Sequence, residues 1–159
     1  MAHGGLRVPQ PLVDAAGWFS CFDVVQVNED EMHRLGNDPM LQAAAALGAG
    51  VSALVVTLGA KGSVYFTRSS PSEPVQFGKG IDQARRPIQT ARIPAPLVAG
   101  DGDPTGCGDA FGATLSARLF AGAPLETAIR DANATGARNF SCRGAGGLLH
   151  SIRGGITVP

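Results

Sequence analysis

The segment Asp103-Pro104-Thr105-Gly106-Cys107-Gly108-Asp109 runs straight into an apolar stretch with helical spacing. At a helix start the backbone N–H groups lack partners and the positive end of the peptide dipoles lies there, so this point suits an anion. Gly106 and Gly108 let the backbone approach a phosphate with no Cβ in the way. Asp109 then stands at the helix start beside whatever binds. For an arbitrary Gly-x-Gly-Asp, an N-cap and a tight turn would be explanation enough. Here Asp103 and Thr105 add polar groups upstream, and a glycine loop with two acids supplies what phosphoryl transfer requires: a base, and donors for developing charge.

The elements around this turn must bring other polar tips to it. Phe22 to Val27 reads as a buried strand ending at Asn28-Glu29-Asp30-Glu31, an acidic start for a short helix. Asp38 and Pro39 form an N-cap and N1 pair, and the Ala-rich run to Leu47 has high helix propensity before Gly48 stops it. Val51 to Leu58 is a second strand, Gly59-Ala60-Lys61-Gly62 a tight turn, and Ser63 to Thr67 a third strand in a hairpin. Arg68 to Ala91 reads as a surface excursion, and Ile93 to Val98 as an edge strand, since Pro94 and Pro96 remove ladder donors. Ala110 to Ala121 and a helix from after Pro124 to about Phe140 precede a Gly-rich tail from Gly144 to Gly155. Strands alternating with helices predict an α/β sheet, parallel in part.

The phrase Asp103-Pro104-Thr105-Gly106-Cys107-Gly108-Asp109-Ala110-Phe111 resembles the second signature of the ribokinase-like carbohydrate kinases, the PfkB family, whose usual form is D-T-x-G-A-G-D before a small-residue helix. Asn28-Glu29-Asp30-Glu31 resembles that family's N-x-x-E motif, and Val55 to Gly62 its nucleotide-binding strand and turn, in the same order. The resemblance implies a ribokinase-like three-layer α/β fold with flanking helices around one sheet. It implies ATP-dependent phosphoryl transfer to a hydroxyl of a sugar or nucleoside-like small molecule. Asp109 would be the base, with the amides of Gly106, Cys107 and Gly108 as the anion hole. Thr57, Gly59 and Gly62 would face the ATP phosphates and ribose, and Asn133 and Gly136 on the last helix would lie beside the adenine. Asn28 and Glu31 would organise Mg²⁺ and its waters, while Asp103 and Thr105 match positions that hold a monovalent cation such as K⁺ in some members. The likeness runs from about Phe22 to Leu149 and corresponds to the C-terminal half of the family's length. That leaves residues 1–21 as a leader or partial element, 22–159 as the catalytic and nucleotide-binding part, and the sugar contacts outside it. The alternative reading is a nucleotide-binding fragment without activity by itself, paired with a separate N-terminal half or with a second copy.

The simpler readings stay open for several residues. Asn28 and Glu31 serve equally as a cap and a first-turn acid, Gly59 and Gly62 as hairpin glycines, and Asn133 as a solvated helix residue. Cys107 at a helix start invites a thiolate nucleophile, although His3, His33 and His150 are all remote in sequence. Lys61 precedes its glycine, so Gly59 to Gly62 is no Walker loop, and Gly144 to Gly147 follows a helix and is no dinucleotide fingerprint.

Bulk properties agree with one globular domain. A chain of 159 residues buries roughly 70% of its unfolded surface. Thirteen basic and thirteen acidic side chains cancel, so no long-range field draws nucleic acid or an acidic membrane. Three cysteines without metal-site spacing favour a reducing cytoplasm. The uncharged stretch Leu41 to Ala60 has the length of a membrane span, but Gly48, Gly50 and the β-branched run after them divide it into a helix and a strand.

Overall fold

A computed structural model describes residues 12–78 and 86–142. Its elements, in order, are α1 (Ala15–Phe19), β1 (Val24–Asn28), α2 (Glu29–Leu35), α3 (Pro39–Gly48), β2 (Ala53–Thr57), β3 (Ser63–Thr67), β4 (Gln89–Ile93), α4 (Cys107–Phe120) and α5 (Leu125–Phe140). Local chemistry sets most of the boundaries. The Asp38 carboxylate accepts hydrogen bonds from the amides of Met40 and Leu41 at 2.9 and 3.2 Å, with Pro39 occupying the first turn where its missing N–H costs nothing. Between β2 and β3, a single 3₁₀ turn over Gly59–Lys61 closes the hairpin.

The sheet order is β1-β2-β3-β4. β1 and β2 are parallel, joined through α2 and α3, and the register sets Asn28 against Thr57 at their carboxyl ends. β3 and β4 complete the sheet in antiparallel fashion. Because strand side chains alternate, β2 feeds two cores. Ala53 and Val55 pack with Tyr65, Phe111, Leu115, Leu125 and Ile129 under α4 and α5. Leu54 and Val56 pack with Phe19, Met32, Ala46, Leu47 and Phe66 under α1, α2 and α3. The result is three layers, helices on both faces of one mixed sheet, as expected. Of the first twenty-one residues, those from Leu12 contribute α1, whose Phe19 is buried in the second of these cores.

Two sequence expectations need correction. The edge strand lies at Gln89–Ile93, not Ile93 to Val98. Pro94 and Pro96 have no N–H to give a ladder, so pairing stops at Ile93 opposite Ser63 and the next residues leave the sheet. The first strand begins at Val24 and runs on through Asn28. The uncharged stretch Leu41 to Ala60 divides into the end of α3, β2 and the hairpin turn; among the described residues no helix is long and apolar enough to cross a membrane. The Gly-rich tail from Gly144 lies outside the described residues.

Tyr65 ties the sheet to α5. Its buried ring packs in the α4/α5 core and its O–H donates to the Glu126 carboxylate at 2.7 Å. Burial first, then the bond to Glu126 and its negative charge, push the phenol well above its ordinary pKa. Removing the hydroxyl in Tyr65→Phe is expected to cost about 1–2 kcal/mol in urea unfolding at neutral pH. The raised folded value means this stabilisation is complete below the unfolded tyrosine pKa of about 10 and is lost as pH climbs from there through the folded value. Tyr65 is the chain's single tyrosine, so phenolate absorbance against pH reads it directly. Titration at the ordinary value in the folded chain would contradict the assignment.

Candidate active site

The turn before α4 is held by backbone hydrogen bonds and by polar side chains that reach it. Gly106 sits at φ +79, in the left-handed region that favours glycine, and provides α4 with no side-chain cap. The Asp103 carboxylate accepts from the Thr105 amide at 2.9 Å, and the Cys107 amide donates to the Pro104 carbonyl at 3.1 Å. The Cys107 amide is therefore engaged inside the turn. Asp109 is exposed in the first turn of α4, one residue beyond the turn's second glycine.

Two elements hold this turn. From β1, Gln26 Nε2 donates to the Gly108 carbonyl at 3.3 Å. From the end of α5, the Phe140 carbonyl accepts from the Asp103 amide at 3.0 Å, and Asn139 Nδ2 donates to the Thr105 carbonyl at 3.0 Å. α5 also approaches α4 closely at Gly136, where a Cβ would lie 3.4 Å from the Cys107 carbonyl oxygen.

Opposite stands the β2–β3 hairpin. Leu58 N donates to the Gly62 carbonyl at 2.8 Å, closing the 3₁₀ turn. Gly62 adopts φ +93, and a Cβ there would collide with the Ile93 carbonyl oxygen and the Ala95 amide, so glycine is required on two counts. The residues released from the sheet after β4 fill the remaining side. Together these segments enclose a cavity of about 300 Å³ lined by Thr57, Gly59, Gly62, Pro96, Leu97, Val98, Cys107, Gly108, Asn133, Gly136 and Phe140. At Gly59 and Gly108 a Cβ would meet only open space. The cavity thus offers glycine backbone and a helix start at one end and an apolar wall at the other.

Some candidates serve differently from the sequence expectation. Asn133 lines the cavity yet is buried, not solvated: its Oδ1 accepts from Ser63 Oγ at 3.2 Å and its Nδ2 donates to the Ile93 carbonyl at 3.0 Å. Asn28 and Glu31 form a reciprocal capping box on α2, each side chain bonding the other's amide at 2.8 Å. They lie outside the cavity wall, although Asn28 is paired with Thr57 at the same end of the sheet. Asp103, Thr105, Gly106 and Asp109 also stand outside the wall, on the turn that forms its end. Cys107 Sγ donates weakly to the Asp103 carbonyl at 3.7 Å and accepts from Asn139 at 3.6 Å, so neither partner is a base that would activate a thiolate. Among the described residues no three His, Cys, Asp or Glu side chains converge as a metal cage. Gln26 and Asn139 escaped the sequence reading, since nothing local marks an amide whose partner is tens of residues away.

The sequence profile of the pfkB family of carbohydrate kinases matches residues 6–151. The chain belongs to that family. Solved pfkB-like structures share its fold. Aminoimidazole riboside kinase from Salmonella enterica, complexed with aminoimidazole riboside and an ATP analogue, is 25% identical with a TM-score of 0.60, over 84% of this chain and 41% of that one. Fructokinase from Vibrio cholerae, with fructose, ADP and potassium ion bound, is 25% identical with a TM-score of 0.57, over 79% of this chain and 37% of that one. A protein assigned as ribokinase II from E. coli, in complex with ATP and Mg²⁺, is 23% identical with a TM-score of 0.64, over 85% of this chain and 39% of that one. No curated protein sequence matches the chain. This pfkB chain therefore spans about two fifths of the length of the structures it resembles.

Gly62 tests whether the hairpin and the post-β4 segment form one wall. Gly62→Ala is expected to destabilise the chain by more than ~2 kcal/mol, because it combines backbone strain with a collision against main chain. Gly136→Ala, which meets only ordinary contacts, is expected to change stability by less than ~1 kcal/mol. Urea unfolding of the pair checks both, and equal effects would sink the argument.

Proposed function

We propose that this chain binds MgATP in the cavity between the β2–β3 hairpin and the start of α4, and that Asp109 is the base for phosphoryl transfer to a hydroxyl of a sugar or nucleoside-like small molecule. The observation that carries the reading is the convergence of Thr57, Gly59, Gly62, Gly108 and Gly136 on one cavity, beside an uncapped helix start and an exposed carboxylate. Family membership supports the chemistry, and the ATP, ADP and potassium bound to the relatives support the cofactors.

The roles divide as follows. The amides of Gly106, Gly108 and Asp109 would receive the transferring phosphoryl oxygens, while Asp109 accepts the acceptor hydroxyl's proton. Thr57, Gly59 and Gly62 would face phosphates and ribose, and the apolar wall of Leu97, Val98 and Phe140 would cover the base. Asn133 and Gly136 would shape the adenine end, Asn133 as wall more than as a hydrogen-bonding partner. Mg²⁺ prefers phosphate and water ligands with one or two protein groups, which suits Asn28 and Glu31 without a preformed cage. Asp103 and Thr105 would hold a monovalent cation such as K⁺ at the same turn.

In this reading the chain is the C-terminal, nucleotide-side part of the fold, residues 22–159 carrying the site. The acceptor's contacts would come from an N-terminal half or a second copy docked along β1, an edge of the sheet among the described residues. Cys21, Cys107 and Cys142 are free thiols, which suits the cytoplasm. A nucleotide-binding piece without turnover by itself is the second reading, favoured by the two-fifths coverage of its relatives.

Calorimetric titration with MgATP and MgADP is the test. Saturable heat competed by either nucleotide supports the site, and its absence for both overturns it. Asp109→Asn is expected to keep nucleotide affinity within about threefold and to lower phosphoryl transfer by at least ~10²-fold in the longest reading frame that contains this chain. Equal loss of binding and transfer would remove Asp109 from the role of base. Binding without transfer in every context would select the second reading.

A further inference from the structure

Asn139 lies in the last turn of α5, 2% exposed, and takes no part in the cavity wall. Its side-chain amide nitrogen nevertheless reaches both residues that flank Gly106: Nδ2 donates to the Thr105 carbonyl at 3.0 Å and to Cys107 Sγ at 3.6 Å. We infer that Asn139 is the positioning residue of the phosphate-binding turn, fixing from behind the direction in which the α4 start presents its amides. The inference rests on the nucleotide reading above for its ligand, and on geometry alone for the clamp.

Three observations carry it. The left-handed Gly106 is a pivot whose glycine backbone prefers no single conformation, so something outside the turn must select this one. No side chain caps α4, so the selection has to act on the flanking residues, the two that Asn139 grips. Finally, the same end of α5 supports the turn's entry: the Phe140 carbonyl accepts from the Asp103 amide at 3.0 Å, and Gly102 lies so close that a Cβ would strike the Phe140 carbonyl and ring. Asn139 thus reaches both flanks of the pivot from outside the turn, beside the turn's own weak Cys107 Sγ bond to the Asp103 carbonyl. Amides aimed at a phosphate lose their effect with small misplacements. A loosened pivot should therefore weaken phosphate-bearing ligands and spare an uncharged nucleoside.

The experiment compares the wild-type chain with Asn139→Ala by hydrogen exchange and by ligand binding. Exchange in the segment 101–109 is expected to accelerate about tenfold, the equivalent of one hydrogen bond at ~1.4 kcal/mol, while 111–119 keeps its protection. MgADP affinity is expected to fall about tenfold, with adenosine affinity unchanged. Ile129→Val, buried on α5 away from the turn, should leave both quantities as in wild type. If Asn139→Ala does not fold, Asn139→Leu fills a similar volume without a donor and is expected to give the same pattern. Unchanged exchange over 101–109 overturns the clamp. Faster exchange with equal losses for MgADP and adenosine overturns its role toward phosphate. A wild-type chain that binds neither ligand defeats the nucleotide reading instead, and the exchange result then decides the clamp by itself.

Discussion

α4 starts on a glycine that has no side chain to fold back on the helix, and this absence governs the arrangement around it. A helix start ordinarily satisfies its orphan amides with a Ser, Thr, Asp or Asn cap. Here no such cap is present, and the turn is held by groups that approach from elsewhere: Gln26 from β1, and Asn139 and the Phe140 carbonyl from α5. They come from two layers, the sheet and the helix layer that holds α5. Two distant segments, β1 and the end of α5, together fix where the turn points.

That requirement explains features that make little sense locally. α5 passes the Cys107 carbonyl at Gly136, where even a Cβ would be in van der Waals contact with the turn it supports. Gln26 is a polar residue in the middle of an otherwise valine-rich strand, on the side that faces α4. Asn133 is buried in the α5 face because it joins Ser63 on β3 to the Ile93 carbonyl at the end of β4. Buried amides of this kind are tolerated only when their partners are in place. Their presence ties the hairpin, the edge strand and both long helices into one cooperative unit around the cavity.

Much of the architecture was legible in the sequence because its signals are short-range. Asp38-Pro39 announces α3, the run Ser63 to Thr67 coincides with β3, and Pro124 marks the start of α5. The glycine turn and its carboxylate could be read for the same reason, as could the glycine hairpin. β4 lies several residues upstream of the stretch the sequence suggests, because Pro94 and Pro96 end the edge strand instead of belonging to it. Asn28 and Glu31 illustrate the opposite limit: one pattern, Asn-x-x-Glu, is both a capping box and a family motif, and the structure displays the first of these. Asn139 and Gln26 were illegible, since each acts on a partner 34 or 82 positions away and no periodicity encodes such a bond.

The exit of the chain from β4 into the cavity wall has a mechanical side. Ile93 closes the ladder with β3, and Ala95 to Val98 line the cavity directly after it. Among the described residues β4 is also a free margin of the sheet, a place where unpaired backbone groups invite other chains. Peeling that margin away dismantles the wall, so any occupant of the cavity opposes peeling with its own binding energy. Any ligand of this cavity would therefore also oppose strand-to-strand aggregation at β4.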